Sequence, residues 1–324
     1  MGLNVKRTST ISLDNRMDLD KKGVGINLDG KSLKELLEVV NKKSNKTDNK
    51  IKEESNDLKN ILLEKITGLH MNYCDEICWR SVNNIKPPYD INMDGPNKEK
   101  EVEKYENFQI GFIEKVFRFL GEKKKEKLLH NIEKAEKKDR ELYSDYEKLN
   151  LLSERIINGD IDSYFQVIDE MRPFDNVLKL GSEVEIGTND SDSIEVEFKA
   201  NSEKVIPIST FDKEIKDQSD IQIEITYYEM IEEYICSSIL LIAKNLMNLI
   251  PVNKVVVHAV DNAFDIDKGI KTDITILSIV FDRETLNKLN LEIINPVDAL
   301  DYFICNIRHQ KTFEFKSVER IVQY

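Results

Sequence analysis

The strongest constraint on this fold is a block of apolar sequence that runs from residue 226 to residue 281. Residues 227–250 place apolar side chains at helical spacing and predict one long helix. The polar residues that share a sector of roughly 100° on this helix are Glu229, Glu233, Ser237, Lys244 and Asn248. The other sides are mostly apolar, so we expect the helix to be buried on most of its faces.

Apolar sequence on both sides of this helix predicts strands. Residues 255–260 and 274–281 are nearly continuous in apolar side chains, which is typical of strands covered on both faces. We therefore expect both to lie in the middle of a sheet. Ahead of the helix, residues 181–187 and 193–200 alternate between apolar and polar side chains and predict a β-hairpin.

Shorter elements complete the C-terminal part. Residues 204–210 and 221–225 predict two further short strands, and residues 284–289 and 296–304 predict two short helices. Together these elements predict an α+β fold whose body spans residues 173–324. In it, a C-terminal mixed sheet packs on the long buried helix.

The first 172 residues fall into three regions that differ in composition. Residues 1–33, called the leader below, alternate around glycines and predict a small N-terminal β meander. Residues 34–60 are a charged, polar linker, either a mobile tether or a solvated helix. Residues 61–172 predict a helical region with a Pro-rich hinge at 86–97 and one long charged helix at 122–157.

Charge and cysteine content limit the partners and the compartment. The formal net charge is −13, which disfavours nucleic acid and anionic lipid because both are bound mainly by clustered Lys and Arg. Four cysteines in 324 residues are too few for a disulfide framework. The first residues lack the apolar core of a signal peptide, and no apolar run is long enough to cross a bilayer. We therefore expect a cytoplasmic protein with reduced thiols and no membrane partner.

His70, Cys74 and Cys78 are the candidate metal ligands. They stand at i, i+4 and i+8, which would align them along one face of a helix. Zinc sites need a fourth ligand and usually gather ligands from two segments, and a small thiol is more often part of a packed helix face. We therefore predict no metal and no cofactor. His258 lies inside an apolar run, where we expect a satisfied core histidine, and no Ser-His-Asp spacing is recognisable.

One catalytic alternative comes from the order of the predicted elements. A helix at 162–171, two or three strands, the long helix and another strand match the core order of restriction-endonuclease-like nucleases. Glu197 and Lys199 fit the Glu-x-Lys half of such a site, in which a carboxylate binds Mg²⁺ and the lysine orients water. The carboxylates that would supply the other half are Asp175, Glu185 and Asp192. The competing interpretation is an outward-facing Glu and Lys on an amphipathic strand, and the negative net charge favours it.

Several short pieces resemble a known family. In the leader, Ile11-Ser12-Leu13 and Lys22-Gly23-Val24-Gly25-Ile26 resemble the N-terminal module of the bacterial domain-of-unknown-function family four-two-three-six. That family's leader is more basic, and this chain departs from it at Asp14, Asp18, Asp20 and Asp29. The later pieces that are similar to longer members are Leu69-His70 with Trp79, Pro87-Pro88, Gly95-Pro96, Asn158-Gly159-Asp160 with Tyr164, Pro173-Phe174-Asp175 with Leu180-Gly181-Ser182, Val205-Ile206-Pro207, Tyr234-Ile235-Cys236-Ser237 with Ala243, and Asn295-Pro296-Val297-Asp298-Ala299-Leu300.

The resemblance implies a bacterial protein and no specific reaction, because the family has none established. It implies no catalytic residue, and it implies that the Cys74 and Cys78 pair is incidental. With no specific catalytic motif and a detachable leader, the leading hypothesis is a non-enzymatic protein-interaction or assembly module. Its partner would be another protein or a second copy of the chain. The alternative hypothesis is the metal-dependent nuclease.

Overall fold

The computed structural model describes residues 7–11, 66, 68–109, 118–206, 220–265, 269–308 and 315–322. They form an α+β fold with one mixed sheet, which confirms the predicted fold class. The chain divides into two compact units. The sheet unit comprises Met1–Ile77 with Tyr164–Tyr324, and the helical unit comprises Cys78–Ser163.

Within the described ranges, six strands form the sheet in chain order. They are β1 Arg7–Ile11, β2 Glu183–Thr188, β3 Ser193–Lys199, β4 Lys254–Asp265, β5 Ile270–Asp282 and β6 Ile304–Ile307. Neighbouring strands are antiparallel except β3 and β4, which are parallel. Strands β2 and β3 form the predicted hairpin, and β4 and β5 are both interior strands of the sheet, as their apolar sequence indicates.

The parallel pair is joined by the long helix, because parallel strands need a crossover connection. This helix is Asp220–Leu249, and it is buried through most of its length from Tyr227 onward. Phe198 of β3 meets Tyr234 of the helix with ring centroids 6.3 Å apart. The sheet packs on this helix as predicted.

Of the two short strands predicted beside the long helix, the one at 221–225 is wrong, and the one at 204–210 is wrong where the chain is described. Residues 221–225 belong to the helix, which begins at Asp220. Extending an existing helix adds one hydrogen bond for each residue that is fixed, so a neighbouring apolar alternation is easily absorbed into it. At the other predicted strand, Ser202–Val205 form a short helix, and residues 207–210 lie outside the described part of the chain.

The helices are α1 Trp79–Asn83, α2 Pro96–Glu106, α3 Arg118–Ile157, α4 Ile161–Met171, α5 Asp175–Leu180, α6 Ser202–Val205, α7 Asp220–Leu249, α8 Arg283–Lys288 and α9 Pro296–Ala299. Helix α3 is the predicted long charged helix. Of the predicted β meander, only β1 is described; the rest of the leader and the linker at 34–60 lie outside the described residues. Across the described ranges, no helix has both the length and the apolar content to cross a membrane.

Candidate functional site

Strand β1 lies at an edge of the sheet and pairs with β2 alone among the described strands. The register sets Thr10 opposite Glu185 and Ile11 opposite Val184. Residues 12–65 separate β1 from the next described residue, Ile66. The sheet is therefore completed at this edge by a strand from a distant part of the chain.

A row of polar residues crosses one face of the sheet from edge to edge. The strand register places the members of this polar row side by side: Thr10, Glu185, Glu197, His258, Ser278 and Asn306. The alternate residues of β2 and β3, such as Val184 and Val196, are fully buried on the opposite face. The sheet therefore has an apolar face toward α7 and a polar face away from it.

Residues 315–322, called the covering segment below, lie along the polar face. Arg320 forms an ion pair with Glu197 (Nη2–Oε2 2.7 Å), and its Nε donates to Thr275 Oγ1 (3.0 Å). The Ile321 backbone N–H donates to Ser278 Oγ (2.9 Å). Asn306 donates through Nδ2 to the Glu319 carbonyl (3.0 Å). The covering segment thus uses the polar row as its hydrogen-bonding surface.

The structure brings together three of the residues of the nuclease hypothesis. Glu185 is the direct cross-strand partner of Glu197, and Lys199 follows two positions later on the same face. Lys199 forms an ion pair with Asp273 (Nζ–Oδ2 2.7 Å), and this contact raises the pKa of the lysine. Both members of the Glu-x-Lys pair are therefore engaged in ion pairs with other parts of the sheet unit.

The other two carboxylates lie elsewhere. Asp192 is in the turn between β2 and β3, where its backbone carbonyl accepts from the N–H groups of Asn253 and Lys254. Asp175 begins α5 and forms ion pairs with Arg172 (3.0 Å) and Lys179 (3.6 Å). In the ranges that the structure describes, no group of three or more His, Cys, Asp or Glu residues is arranged to hold a metal ion. Among the described residues, the carboxylates of this hypothesis are therefore divided between the polar row, the β2–β3 turn and α5.

The polar face contains an acid–histidine–serine chain that sequence spacing did not reveal. Glu195 Oε1 lies 3.3 Å from His258 Nε2, and His258 Nδ1 lies 2.9 Å from Ser278 Oγ. Burial and the nearby charge of Arg320 lower the pKa of His258 against the opposing effect of Glu195. Ser278 is fully buried, so its hydroxyl is not placed to attack a substrate, and we interpret the chain as structural.

Sequence reasoning missed this acid–histidine–serine arrangement because only the strand register brings its three residues together. The signal was present as two polar residues, His258 and Ser278, inside otherwise apolar runs. A buried polar side chain needs a hydrogen-bond partner, so each of them implied a polar neighbour. The expectation that His258 is a satisfied core histidine agrees with its contacts.

His70, Cys74 and Cys78 do not share a helix face, so that prediction is wrong. Leu69–Met71 form a 3-10 turn, and residues 72–78 have no regular structure. His70 is buried with Nδ1 2.6 Å from Ser237 Oγ. Cys78 is exposed, and its sulfur accepts from Ser81 Oγ (3.0 Å).

The physical reason is that backbone groups of this segment form hydrogen bonds with α7 and not with one another. Asn245 Oδ1 accepts the Cys74 N–H (2.8 Å), Asn248 Nδ2 donates to the Cys74 carbonyl (2.6 Å), and the Asn248 carbonyl accepts the Ile77 N–H (2.8 Å). Backbone groups that are satisfied in this way do not need helical partners. Part of the polar sector predicted on α7 therefore forms hydrogen bonds with residues 70–77.

Comparison with known proteins adds no functional information. No protein-family model matches the chain. No curated protein and no solved structure matches it either. The family resemblance of the short sequence pieces therefore stays a prediction, and function must be inferred from the geometry.

Proposed function

We propose that this chain is a non-enzymatic assembly module that associates by exchange of strand β1 between copies. In this proposal, β1 of one copy pairs with the β2 edge of another. The observation that carries it is the pairing of β1 with β2 as an edge strand, although residues 12–65 separate β1 from the next described residue in sequence. An exposed edge is a ready template for a strand from another molecule.

Chain length allows this exchange. An extended chain spans at most about 3.3–3.6 Å per residue, so even part of residues 12–65 reaches a neighbouring molecule. The polar composition of the linker gives it little apolar surface to bury on the body. Strand β1 is thus connected to the sheet unit through a segment whose composition does not favour docking.

Exchange of β1 between copies also causes little net loss of contacts. When two copies swap identical strands, each sheet regains the hydrogen bonds that it gave up, so swapping is a low-cost route to dimers. The balance between strand exchange and pairing within one chain then depends on two concentrations. They are the protein concentration and the effective concentration of β1 that the linker maintains at the β2 edge of its own chain. The proposal therefore predicts an association that increases with concentration and requires β1.

Deletion of residues 1–33 tests this requirement in sedimentation velocity and pull-down experiments. We expect the deletion to abolish the concentration-dependent oligomer that the full chain forms. A finer test replaces Ser9, which pairs with Ile186, by proline, which cannot donate to the ladder. Ser9→Ala is the matched control. If neither the deletion nor the proline changes the oligomeric state or the captured partners, the proposal is wrong.

The nuclease remains a second candidate on one observation, the order of its elements. Helix α4, strands β2 and β3, helix α7 and strand β4 occur in the order of that hypothesis, with the short helices α5 and α6 between them. Glu197→Ala and Lys199→Ala, assayed for Mg²⁺-dependent cleavage of DNA and RNA, test it. Inactivity of the unmodified chain on both substrates rules the candidate out.

A further inference from the structure

The covering segment is attached to the polar face mainly through polar contacts. The Ile321 N–H donates to Ser278 Oγ (2.9 Å), and the Arg320 guanidinium forms an ion pair with Glu197 (Nη2–Oε2 2.7 Å). Most residues of the covering segment are exposed, and Phe315 at its start is its buried apolar side chain. Segments with few buried apolar contacts open at low free energy, so the strength of these polar contacts decides whether the segment stays attached.

His258 lies on the other side of the Ser278 hydroxyl from the covering segment. Its Nδ1 is 2.9 Å from Ser278 Oγ, and its Nε2 is 3.3 Å from Glu195 Oε1. An ionised carboxylate only accepts hydrogen bonds, so the proton of the neutral ring lies on Nε2 and Nδ1 accepts from Ser278. Because Ser278 Oγ also accepts the Ile321 N–H, the covering segment is the first donor in one directional chain of hydrogen bonds.

Protonation of His258 reverses one link of this hydrogen-bond chain. Nδ1 changes from an acceptor into a donor, so the Ser278 hydroxyl proton has to turn away from it. The Ser278 oxygen then receives two N–H donors, one from the ring and one from Ile321. Ser278 is fully buried, so water does not replace the contact that its hydroxyl proton loses. The hydrogen bond to Ile321 is therefore weakened where the segment meets the sheet.

The charges around His258 also disfavour the protonated ring. Glu195 and Glu197 face it from β3, Arg320 faces it from the covering segment, and β5 contributes the uncharged Ser278. Burial and the charge of Arg320 lower the pKa of His258, against the opposing effect of the two carboxylates. A protonated ring thus repels the cation that the covering segment carries.

We propose that the covering segment is a pH-sensitive strap, which closes over the polar row while His258 is neutral and detaches when the ring is protonated. Closure and protonation are linked, so each affects the other by the same free energy. Loss of the Arg320 charge should therefore raise the pKa of His258. The strap is independent of strand exchange, because the contacts that carry it lie on β3, β4, β5 and the covering segment.

NMR titration and amide hydrogen exchange of the full chain between about pH 7.5 and about pH 4.5 test the strap. The protection factor of the Ile321 amide, corrected for the intrinsic exchange rate at each pH, should fall at least about tenfold as the His258 ring titrates. Ala200, whose N–H donates to the Val260 carbonyl inside the sheet unit (2.8 Å), is the reference amide. Its protection should be retained, which separates detachment of the strap from unfolding of the chain.

His258→Gln removes the titrating ring and leaves the other acidic groups in place. In this variant the protection of Ile321 should stay within about twofold over the same pH range. His130→Gln, at an exposed histidine of α3, is the matched control and should retain the fall.

A second pair of variants does not depend on the folding of His258→Gln, because both change exposed residues of the covering segment. Arg320→Gln should raise the pKa of His258, and Lys316→Gln, the same loss of charge, should change it less. The proposal is overturned if Ile321 stays protected while the ring titrates, or if His258→Gln shows the same fall as the unmodified chain. It is also overturned if the ring titrates only as the whole chain unfolds.

Discussion

The two units of this protein are stabilised in different ways. In the sheet unit, fully buried apolar side chains from β3, β4, β5 and α7 form a continuous core. Among the described residues of the helical unit, the buried apolar side chains are Trp79, Ala135 and Ile156. That unit instead buries polar contacts, above all Asp139 of α3. Among the described residues, hydrophobic burial is therefore extensive in the first unit, and buried hydrogen bonds are more prominent in the second.

Asp139 shows how such a contact works. Its Oδ2 accepts the Lys98 N–H (2.8 Å), and its Oδ1 accepts the Asn97 N–H (3.1 Å) at the start of α2. The N-cap residue of α2 is Gly95, which has no side chain to cap the helix. A Cβ at Gly95 would lie 2.4 Å from Asp139 Cγ, so the glycine makes room for a cap that comes from another helix.

The largest effect is expected from the core of the sheet unit. Phe198→Ala removes a fully buried ring that contacts Tyr234, and it should lower the free energy of unfolding by about 3–5 kcal/mol. Phe119→Ala is the matched control in the helical unit, where the ring is 63% exposed. We expect the control to change stability by less than about 0.5 kcal/mol. Urea denaturation measures both, and similar losses would contradict the assignment of Phe198 to the core of the sheet unit.

A smaller effect is expected from the cap of α2. Asp139→Ala leaves the backbone N–H groups of Asn97 and Lys98 without their acceptor and should cost about 0.5–2 kcal/mol. Asp145→Ala on the same helix is the control, because that carboxylate is exposed. Hydrogen exchange of the α2 amides localises the effect. Unchanged protection in Asp139→Ala would show that the cap does not stabilise this helix.

Gly95→Ala should also destabilise the helical unit, since the added methyl group collides with Asp139. The double variant Gly95→Ala with Asp139→Ala separates the collision from the lost cap. We expect the glycine substitution to cost less in the Asp139→Ala background than in the unmodified chain. Additive losses in thermal unfolding would mean that the two residues act independently.

The smallest effect is expected from pH, and it arises in the sheet unit. Burial lowers the pKa of His258, so the folded state favours the neutral ring. Stability should therefore fall as the pH drops below about 6.5, with a slope of at most about 1.4 kcal/mol per pH unit. His258→Gln should remove this component, and His130→Gln, at an exposed histidine of α3, should retain it. Identical pH profiles for the unmodified chain and His258→Gln would contradict this role.

The sequence predicts the elements of this fold better than their contacts. Helix α7, strands β4 and β5 and the β2–β3 hairpin follow from local periodicity, because each has an apolar pattern of its own. The irregular path of residues 72–78 does not follow, because its hydrogen bonds come from Asn245 and Asn248, far along the chain. Non-local partners of this kind have no local signal.

The same limit applies to the candidate sites. Glu197 and Lys199 are recognisable as a pair in sequence, but their ion pairs with Arg320 and Asp273 depend on how strands and the covering segment assemble. Strand β1 could be predicted as a strand, but its place beside β2 required the structure.

Strand exchange is tested most directly by a disulfide that can form only between copies. One copy carries Thr10→Cys and a differently tagged copy carries Glu185→Cys, at positions that face each other in the β1–β2 register. Copies with Thr10→Cys and Glu183→Cys, which are out of register, are the control. We predict a disulfide-linked heterodimer of the first pair that exceeds the control. Absence of that heterodimer, together with an internal disulfide when both cysteines are placed in one chain, would contradict strand exchange.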